Sequence, residues 1–370
     1  MRGGFLHVAQ RYPASSAAVM NACLSVWSVT VLAIPARRAT LRTIRPAPCR
    51  SSRRPSAARN TGPPVRSATA RSIARAVRGA SGIVLGAAGA DATGPQAPGL
   101  SSAVVAGNFD PVAHNRAAWD REVENDNEWT RPADAEVIAR ARAGDWSVVL
   151  IGYHPTPRDW FPAELARAVV LCLASGGGQQ GPVLAAAGAT VTVFDNSPRQ
   201  LSRDEEVAAR EDLAIRTVLG DMRDLSVFSD ASFDVVFNPV SNVFCPELAP
   251  VWRESFRVLR PGGVLLAGFM NPDIFIFDVA ALDDRGELVV CHRLPFTTLD
   301  LSDAERLHSY GTGPVEYSHS LTEQIGGQLA AGFTLTHLVE APHHADATAP
   351  YMPGYFATRA IKPEPRPHAD

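Results

Sequence analysis

Residues 169–192 read VVLCLASGGGQQGPVLAAAGATVT, and the order of the parts within that stretch decides the fold. The run from Val169 to Leu173 is apolar throughout, as a strand buried on both faces has to be. Gly176, Gly177, Gly178 and Gly181 follow, and a chain without Cβ atoms at those positions can turn sharply and come close to a ligand. The alanine-rich segment after them is a helix former whose N-terminal amides point back at the same place. Strand, glycine turn and helix in that order open a nucleotide-binding βαβ unit.

The alternation repeats downstream. Thr190 to Phe194 is a second strand ending at Asp195, and Ser197, Pro198 and Gln200 then supply an N-cap, a first helical residue and the closing residue of an S-x-x-Q capping box. That helix runs to about Asp212. Ile215 to Leu219 is a third strand followed by Gly220 and Asp221, and Phe233 to Phe237 a fourth that ends at Asn238 and Pro239. Glu247 to Leu259 reads as a helix, Arg260 to Gly263 as a turn and Val264 to Phe269 as a fifth strand. Between Met270 and about Ser320 the alternation lapses. Leu288 to Leu294, after the Asp283 to Gly286 turn, reads as one arm of a small hairpin in an insertion over the sheet edge. Leu321 to Ala331 is again helical with Gly332 at its end, Phe333 to Glu340 is a sixth strand and Tyr355 to Ile361 a last one. No helix separates those two, so the last strand is expected to run antiparallel. The expected fold is α/β: a Rossmann-like, seven-stranded, mostly parallel sheet with an antiparallel last strand and helices on both faces.

Upstream of the glycine stretch, His114 to Asn127 and Ala133 to Ala143 read as helices, the second ended by Gly144. A loop with Pro155, Pro157 and Pro162 then carries Tyr153, Arg158, Asp159, Trp160 and Phe161 to the first strand, completing an N-terminal helical cap over residues 109–168. Its aromatics either form a lid at the ligand edge or, with Trp119 and Trp129, pack into the core.

Charge divides the 370 residues into two kinds of polypeptide. The first hundred hold 14 Arg and one acid, Asp91, whereas the remainder holds 21 basic and 37 acidic residues. Residues 1–108, rich in Ala, Arg, Ser and Pro, read as a disordered or presequence-like segment apart from a folded domain over 109–370. Within it Ala17 to Ala36 is apolar and just long enough for a signal-peptide core or a marginal membrane span. A targeting sequence and a start codon placed too far upstream are the competing explanations, which imply an organelle and the cytoplasm respectively. The acidic part offers no basic face for duplex nucleic acid, and no membrane is expected for it. Five widely spaced cysteines (Cys23, Cys49, Cys172, Cys245, Cys291) without a CxxC pair fit a reducing compartment and no metal site.

In an open parallel sheet, ligands bind outside the carboxyl ends of the strands. Those ends carry Ala174, Ser175, Gly176, Gly178 and Gln179 after strand one, Asp195 and Asn196 after strand two, Asp221 and Met222 after strand three, and Asn238 after strand four. Asp195, 17 residues past Gly178, is placed to accept from both hydroxyls of a ribose, and Asp221 to accept from an exocyclic adenine amine with Met222 against the ring. The alternative is that Asp195 caps the next turn and Asp221 closes a loop.

From Val169 to Gly263 the chain resembles the class I S-adenosylmethionine-dependent methyltransferases, in SGGG, FDNS, GDM, FDVVF and RVLRPGG. The resemblance implies S-adenosylmethionine as cofactor, with Gly176 and Gly178 at its amino-acid part, Asp195 at the ribose and Asp221 at the adenine amine. It also implies a small-molecule methyl acceptor. The family usually has an acid at the position of Cys172 and a glycine at that of Ala174, and the amides of Gln179 and Gln180 are expected to compensate. Asn238-Pro239 matches the start of an Asn-Pro-Pro-aromatic motif, but Val240 and Ser241 replace its second half, so nitrogen in a planar group is not inferred as the target. Methyl displacement needs no obligatory base. His292, His308 and His319 are the candidates should the acceptor have to lose a proton.

The chief rival is an NAD(P)-dependent oxidoreductase, since Gly176 to Gly181 also fits G-x-G-x-x-G. Against it stand the second acid at Asp221 and the lack of a Tyr-x-x-x-Lys pair, Lys362 being the only lysine in the chain. A catalytically inactive cofactor-binding partner protein is the third reading. Trp119, Tyr153, Trp160, Phe244 and Tyr310 are expected around the mouth of the site, where they would suit a partly apolar acceptor.

Overall fold

The computed structural model describes residues 109–343 and 347–365. The expectations for residues 1–108 fall outside this range.

The chain begins with α1 (Pro111–Glu124), capped by the Asp110 carboxylate, and α2 (Ala135–Arg142), capped by Asp134. Where the sequence suggested only a proline-rich loop, a short hairpin forms from β1 (Val149–Ile151) and β2 (His154–Pro155). Then follow β3 (Val169–Leu173), α3 (Gln180–Ala186), β4 (Thr190–Asp195), α4 (Pro198–Glu211), β5 (Ile215–Leu219) and β6 (Phe233–Asn238). The chain continues through α5 (Leu248–Val258), β7 (Leu259–Met270), α6 (Val279–Arg285), α7 (Asp303–Tyr310), α8 (Gly327–Ala330), β8 (Thr334–Pro342) and β9 (Pro353–Ile361).

Seven strands form one sheet in the order β5-β4-β3-β6-β7-β9-β8. The pairs from β5 to β7 are parallel, and β9 runs antiparallel to both β7 and β8, as the helix-free connection required. Alternation along β3 feeds two cores. Val170 and Cys172 join Ile138, Leu184, Val193 and Val207 under α2, α3 and α4, while Leu171 and Leu173 join Phe194, Val251, Trp252 and Phe333 under α5. Burial on both faces accounts for the unbroken apolar run from which the strand was read. The β1 hairpin lies across β7 at Gly268, where a Cβ would collide with the Leu150 carbonyl oxygen.

Three expectations need correction. Arg260 to Gly263 does not separate helix from strand. It is an irregularity inside β7, which pairs with β6 at Leu259 and again from Val264. The hairpin in the insertion is absent, because Asp283, Asp284 and Arg285 are the last turn of α6, closed by Gly286 in the left-handed conformation. Leu288 to Leu294 makes a single bridge, Val290 to Phe277. The insertion packs instead through Phe275 and Phe296 onto Val243 after β6 and Met270 at the end of β7. The capping box at α4 is only half made: Ser197 accepts from Gln200 N, but the Ser197 amide is held by Asp195 Oδ1 at 2.9 Å rather than by the Gln200 side chain.

Among the described residues no helix is long and apolar enough to cross a membrane.

Candidate functional site

A cavity of about 290 Å³ opens at the C-terminal ends of β3 to β6, where the strand order reverses between β3 and β6. Its floor is the glycine loop. Ala174 leaves β3 with φ +47°, and Gly177 and Gly178 continue the turn at φ +106° and +75°. Gly176 N donates to Asp195 Oδ2 at 2.9 Å, Gly177 N to the Gln200 carbonyl at 3.0 Å and Gly178 N to Asp204 Oδ2 at 3.1 Å. All three acceptors belong to the end of β4 or to α4. The loop is thus pulled down onto α4, and a Cβ on Gly177 would stand 2.8 Å from the Trp129 carbonyl oxygen.

Asp195 caps the turn after β4 and also lines the cavity. Its two oxygens each take one backbone amide, from Gly176 and Ser197, and its half-buried carboxylate still faces the cavity. Burial pushes its carboxyl above the usual range, and the Ser197, Gly176 and Asn196 amides pull it back. Asp204, wholly buried on α4, is pushed well above the usual range by burial, with the charge of Asp195 adding to the shift. No motif pointed to Asp204; only its place four residues past Gln200, on the face of α4 turned to the loop, could have. Asp221 faces the cavity and pairs with Arg223, whose Nη2 and Nε donate to Oδ2 at 2.7 and 3.0 Å.

Of the ten strand-end residues, the cavity brings together Ala174, Ser175, Gly176, Gln179, Asp195, Asn196, Asp221 and Met222. Gly178 and Asn238 stand outside it. Gly178 is turned toward α4, where a Cβ would meet the Arg203 carbonyl at 2.8 Å. Asn238 is fully buried, its amide spent on the Leu173 carbonyl and Ser241 Oγ. Gln179 and Gln180, expected to compensate for the missing acid, both line the cavity, with Gln179 Nε2 donating to the Glu128 and Arg131 carbonyls and Gln180 Oε1 accepting from Val149 N.

The far wall is apolar. Trp119 and Phe244 line it edge to face at 5.0 Å, and Trp129 lines it with Tyr153 stacked behind at 5.3 Å. Leu150, Val240, Met270 and Tyr355 complete it. Trp160 is not at the mouth but in the core, 3% exposed, and Tyr310 packs within the insertion. The N-terminal cap therefore divides: Trp160 and Trp146 pack with the core while Trp119 and Trp129 face the cavity. The cap is pinned over the cofactor end through Asn196, whose side chain donates to the Val112 carbonyl and whose Oδ1 accepts from Arg116.

None of the three candidate histidines lines the cavity. His319 donates from Nε2 to the Cys245 carbonyl at 2.6 Å, His292 stacks on Phe296 at 4.3 Å, and His308 is exposed on α7. Cys245 lines the wall as a small buried thiol, pushed up to about 12 mainly by burial. Among the described residues no cluster of His, Cys, Asp and Glu could hold a metal ion.

The donor set fits a cationic, hydroxyl-bearing adenosyl compound. No Lys, Arg or His lines the cavity, two carboxylates do, and the amides of Gly176, Gly177 and Gly178 are taken by acceptors of the protein. Comparison with known proteins agrees. Residues 171–267 match the family model described as a methyltransferase domain. An uncharacterized methyltransferase of Bacillus subtilis (strain 168), YbaJ, is 46% identical over 258 residues, covering 68% of this chain and 98% of the relative. The 2-methyl-6-phytyl-1,4-hydroquinone methyltransferase of Synechocystis is 34% identical over 172 residues, 46% of each chain. Among solved structures, an S-adenosylmethionine-dependent methyltransferase from Mesorhizobium loti aligns with a TM-score of 0.44 at 18% identity, covering 55% of this chain and 94% of that one. The chain belongs to the class I S-adenosylmethionine-dependent methyltransferases, and S-adenosylmethionine is its cofactor.

Proposed function

We propose that the protein transfers a methyl group to a small, uncharged and largely apolar acceptor bound against the Trp119 and Trp129 wall, by in-line displacement without a general base. The carrying observation is the composition of the cavity, acidic at the strand ends and aromatic opposite, with no cationic side chain in its lining. A carboxylate or phosphate on the acceptor would meet no counter-charge there, and its desolvation would go uncompensated. The cofactor supplies a methyl group on a positively charged sulfur. Asp195 accepts from the ribose hydroxyls with the lone pairs that Gly176 and Ser197 leave free, and Asp221, steadied by Arg223, accepts from the adenine amine. The two ring pairs exclude water and align the acceptor, which supplies the acceleration that proximity and desolvation can give. The Synechocystis relative, whose name gives a phytylated hydroquinone as its acceptor, supports an apolar acceptor class.

The test is calorimetric titration of the full chain with S-adenosylhomocysteine and with NAD, followed by a labelled-methyl screen of neutral aromatic and isoprenoid compounds beside carboxylated analogues. Uptake of S-adenosylhomocysteine alone and labelling confined to the neutral set are expected. Preferential labelling of the carboxylated set would refute the acceptor class.

A further inference from the structure

At the apolar end of the cavity stands a hydroxyl whose proton has no acceptor among the described residues. Ser241, three residues past the end of β6 and 8% exposed, lines the cavity in the same turn as Phe244, whose amide donates to the Ser241 carbonyl at 2.9 Å. Its Oγ accepts from Asn238 Nδ2 at 2.8 Å. That amide cannot be turned over, because Nδ2 also donates to the Leu173 carbonyl at 3.1 Å and the reversed group would set two carbonyl oxygens against each other. Asn238 is therefore the donor of the pair, and the serine proton is directed elsewhere.

The polar groups beside it differ. Asn115 lines the same side, but its Nδ2 donates to the Phe244 and Val315 carbonyls at 2.8 and 3.1 Å and its Oδ1 accepts from Val315 N at 2.7 Å. Cys245 Sγ donates to the Glu247 carbonyl at 3.2 Å. Both are satisfied within the fold, whereas Ser241 faces the cavity with an unpaired donor. A buried donor in that condition carries a desolvation cost that is recovered when a ligand accepts from it. Two ligand oxygens have the right chemistry, one on the methyl acceptor and one in the carboxylate of the methyl donor. Position favours the first, since Ser241 shares its turn with Phe244, the ring that meets Trp119 edge to face at 5.0 Å.

We propose that Ser241 Oγ donates to an oxygen of the methyl acceptor other than the atom that is methylated, and so fixes the orientation of an otherwise apolar molecule. This rests on the neutral, apolar acceptor class proposed above and narrows it to compounds carrying a hydroxyl, ether or carbonyl oxygen. A bond donated to the methylated atom itself would hold the electron pair that has to attack the methyl carbon, stabilising the ground state more than the transition state.

Calorimetry tests this with wild type, Ser241→Ala and Ser241→Thr, each saturated with S-adenosylhomocysteine and titrated with p-xylene, 4-methylanisole and 4-methylphenol, of which only the last two carry an oxygen. Wild type and Ser241→Thr are expected to bind the oxygen-bearing rings about 5-fold more tightly than p-xylene, as one neutral hydrogen bond allows, and Ser241→Ala to bind all three alike. Affinity for S-adenosylhomocysteine should agree among the three proteins within about 2-fold. No preference in wild type, through equal binding or none, overturns the inference, as does a preference that survives in Ser241→Ala. Loss of the preference in both variants would make Ser241 a structural residue, and weaker S-adenosylhomocysteine binding by Ser241→Ala would give the hydroxyl to the methyl donor; either result overturns it too. Tighter binding of 4-methylbenzoate than of all three rings by wild type refutes the neutral acceptor class beneath it, so the two failures are told apart.

Discussion

The two ends of the cavity are built on opposite principles. At the cofactor end, polar groups are held in place by the backbone: Asp195 by two amides, Asp221 by the Arg223 fork, and the glycine loop by three acceptors from β4 and α4. At the acceptor end there is almost no polar fixing, only rings packed on rings from α1, the β1 hairpin and the loop after β6. The first end recognises a ligand of fixed structure and can be preorganised around it. The second supplies shape and dryness, which many acceptors can share, and this is why the cofactor is legible and the acceptor is not.

If that division is right, substitutions at the two ends should separate uptake of cofactor from turnover. Asp195→Ala should have the largest effect, weakening S-adenosylhomocysteine by about 100-fold or more, since two hydrogen bonds to a carboxylate are lost together; calorimetry reads it directly. Affinity unchanged in this variant would remove the distinction at its root.

The same residue sharpens the contrast through pH. Burial raises the carboxyls of Asp195 and Asp204 in the folded protein, so the folded state binds these protons more readily than the unfolded chain. As pH falls from neutrality through the raised folded values, these two groups should stabilise the ligand-free fold, whereas cofactor affinity, which needs the carboxylate of Asp195, should decline. Melting temperature and affinity, each taken as the difference between wild type and Asp195→Asn, are expected to move in opposite directions over that window.

At the other end, Trp119→Ala should leave S-adenosylhomocysteine affinity within about 3-fold of wild type but reduce methylation of an identified acceptor by about 10-fold or more, through loss of a large ring and entry of water. Equal losses in both measurements would show that one wall serves both ligands. Asp221→Asn is expected to cost roughly 3- to 10-fold in cofactor affinity, less than Asp195→Ala because the amide keeps one acceptor oxygen. The smallest effect should come from Ala174→Gly. Relief of the left-handed backbone at φ +47° offsets the added freedom of glycine in the unfolded chain, and thermal denaturation should place the change within about 1 kcal/mol.

The sheet was readable because each of its strands is bounded locally. Val169 to Leu173 and Ile215 to Leu219 lie where their apolar or β-branched runs and the following glycines put them. The antiparallel last strand followed from the missing helix before it. The hairpin expected in residues 271–320 was misread because exposed Val289 and Val290 imitate a strand locally, while the Asp283 to Gly286 segment that imitates a turn is the end of a helix whose Ala281 and Leu282 are buried.

The sequence alone determined which residues stand at the strand ends, because a period-two strand followed by glycine and then acid leaves little choice of where that acid emerges. Only the tertiary structure decided how they are used. That Gly178 turns to Asp204 on α4, that Asn238 is tied to Leu173 in the core and that Gln179 Nε2 is held by Glu128 of the cap depend on contacts 26, 65 and 51 residues apart in the chain. Spacing along one strand cannot encode the packing of its neighbours. A side chain's direction is set by which of several partners reaches it first in three dimensions.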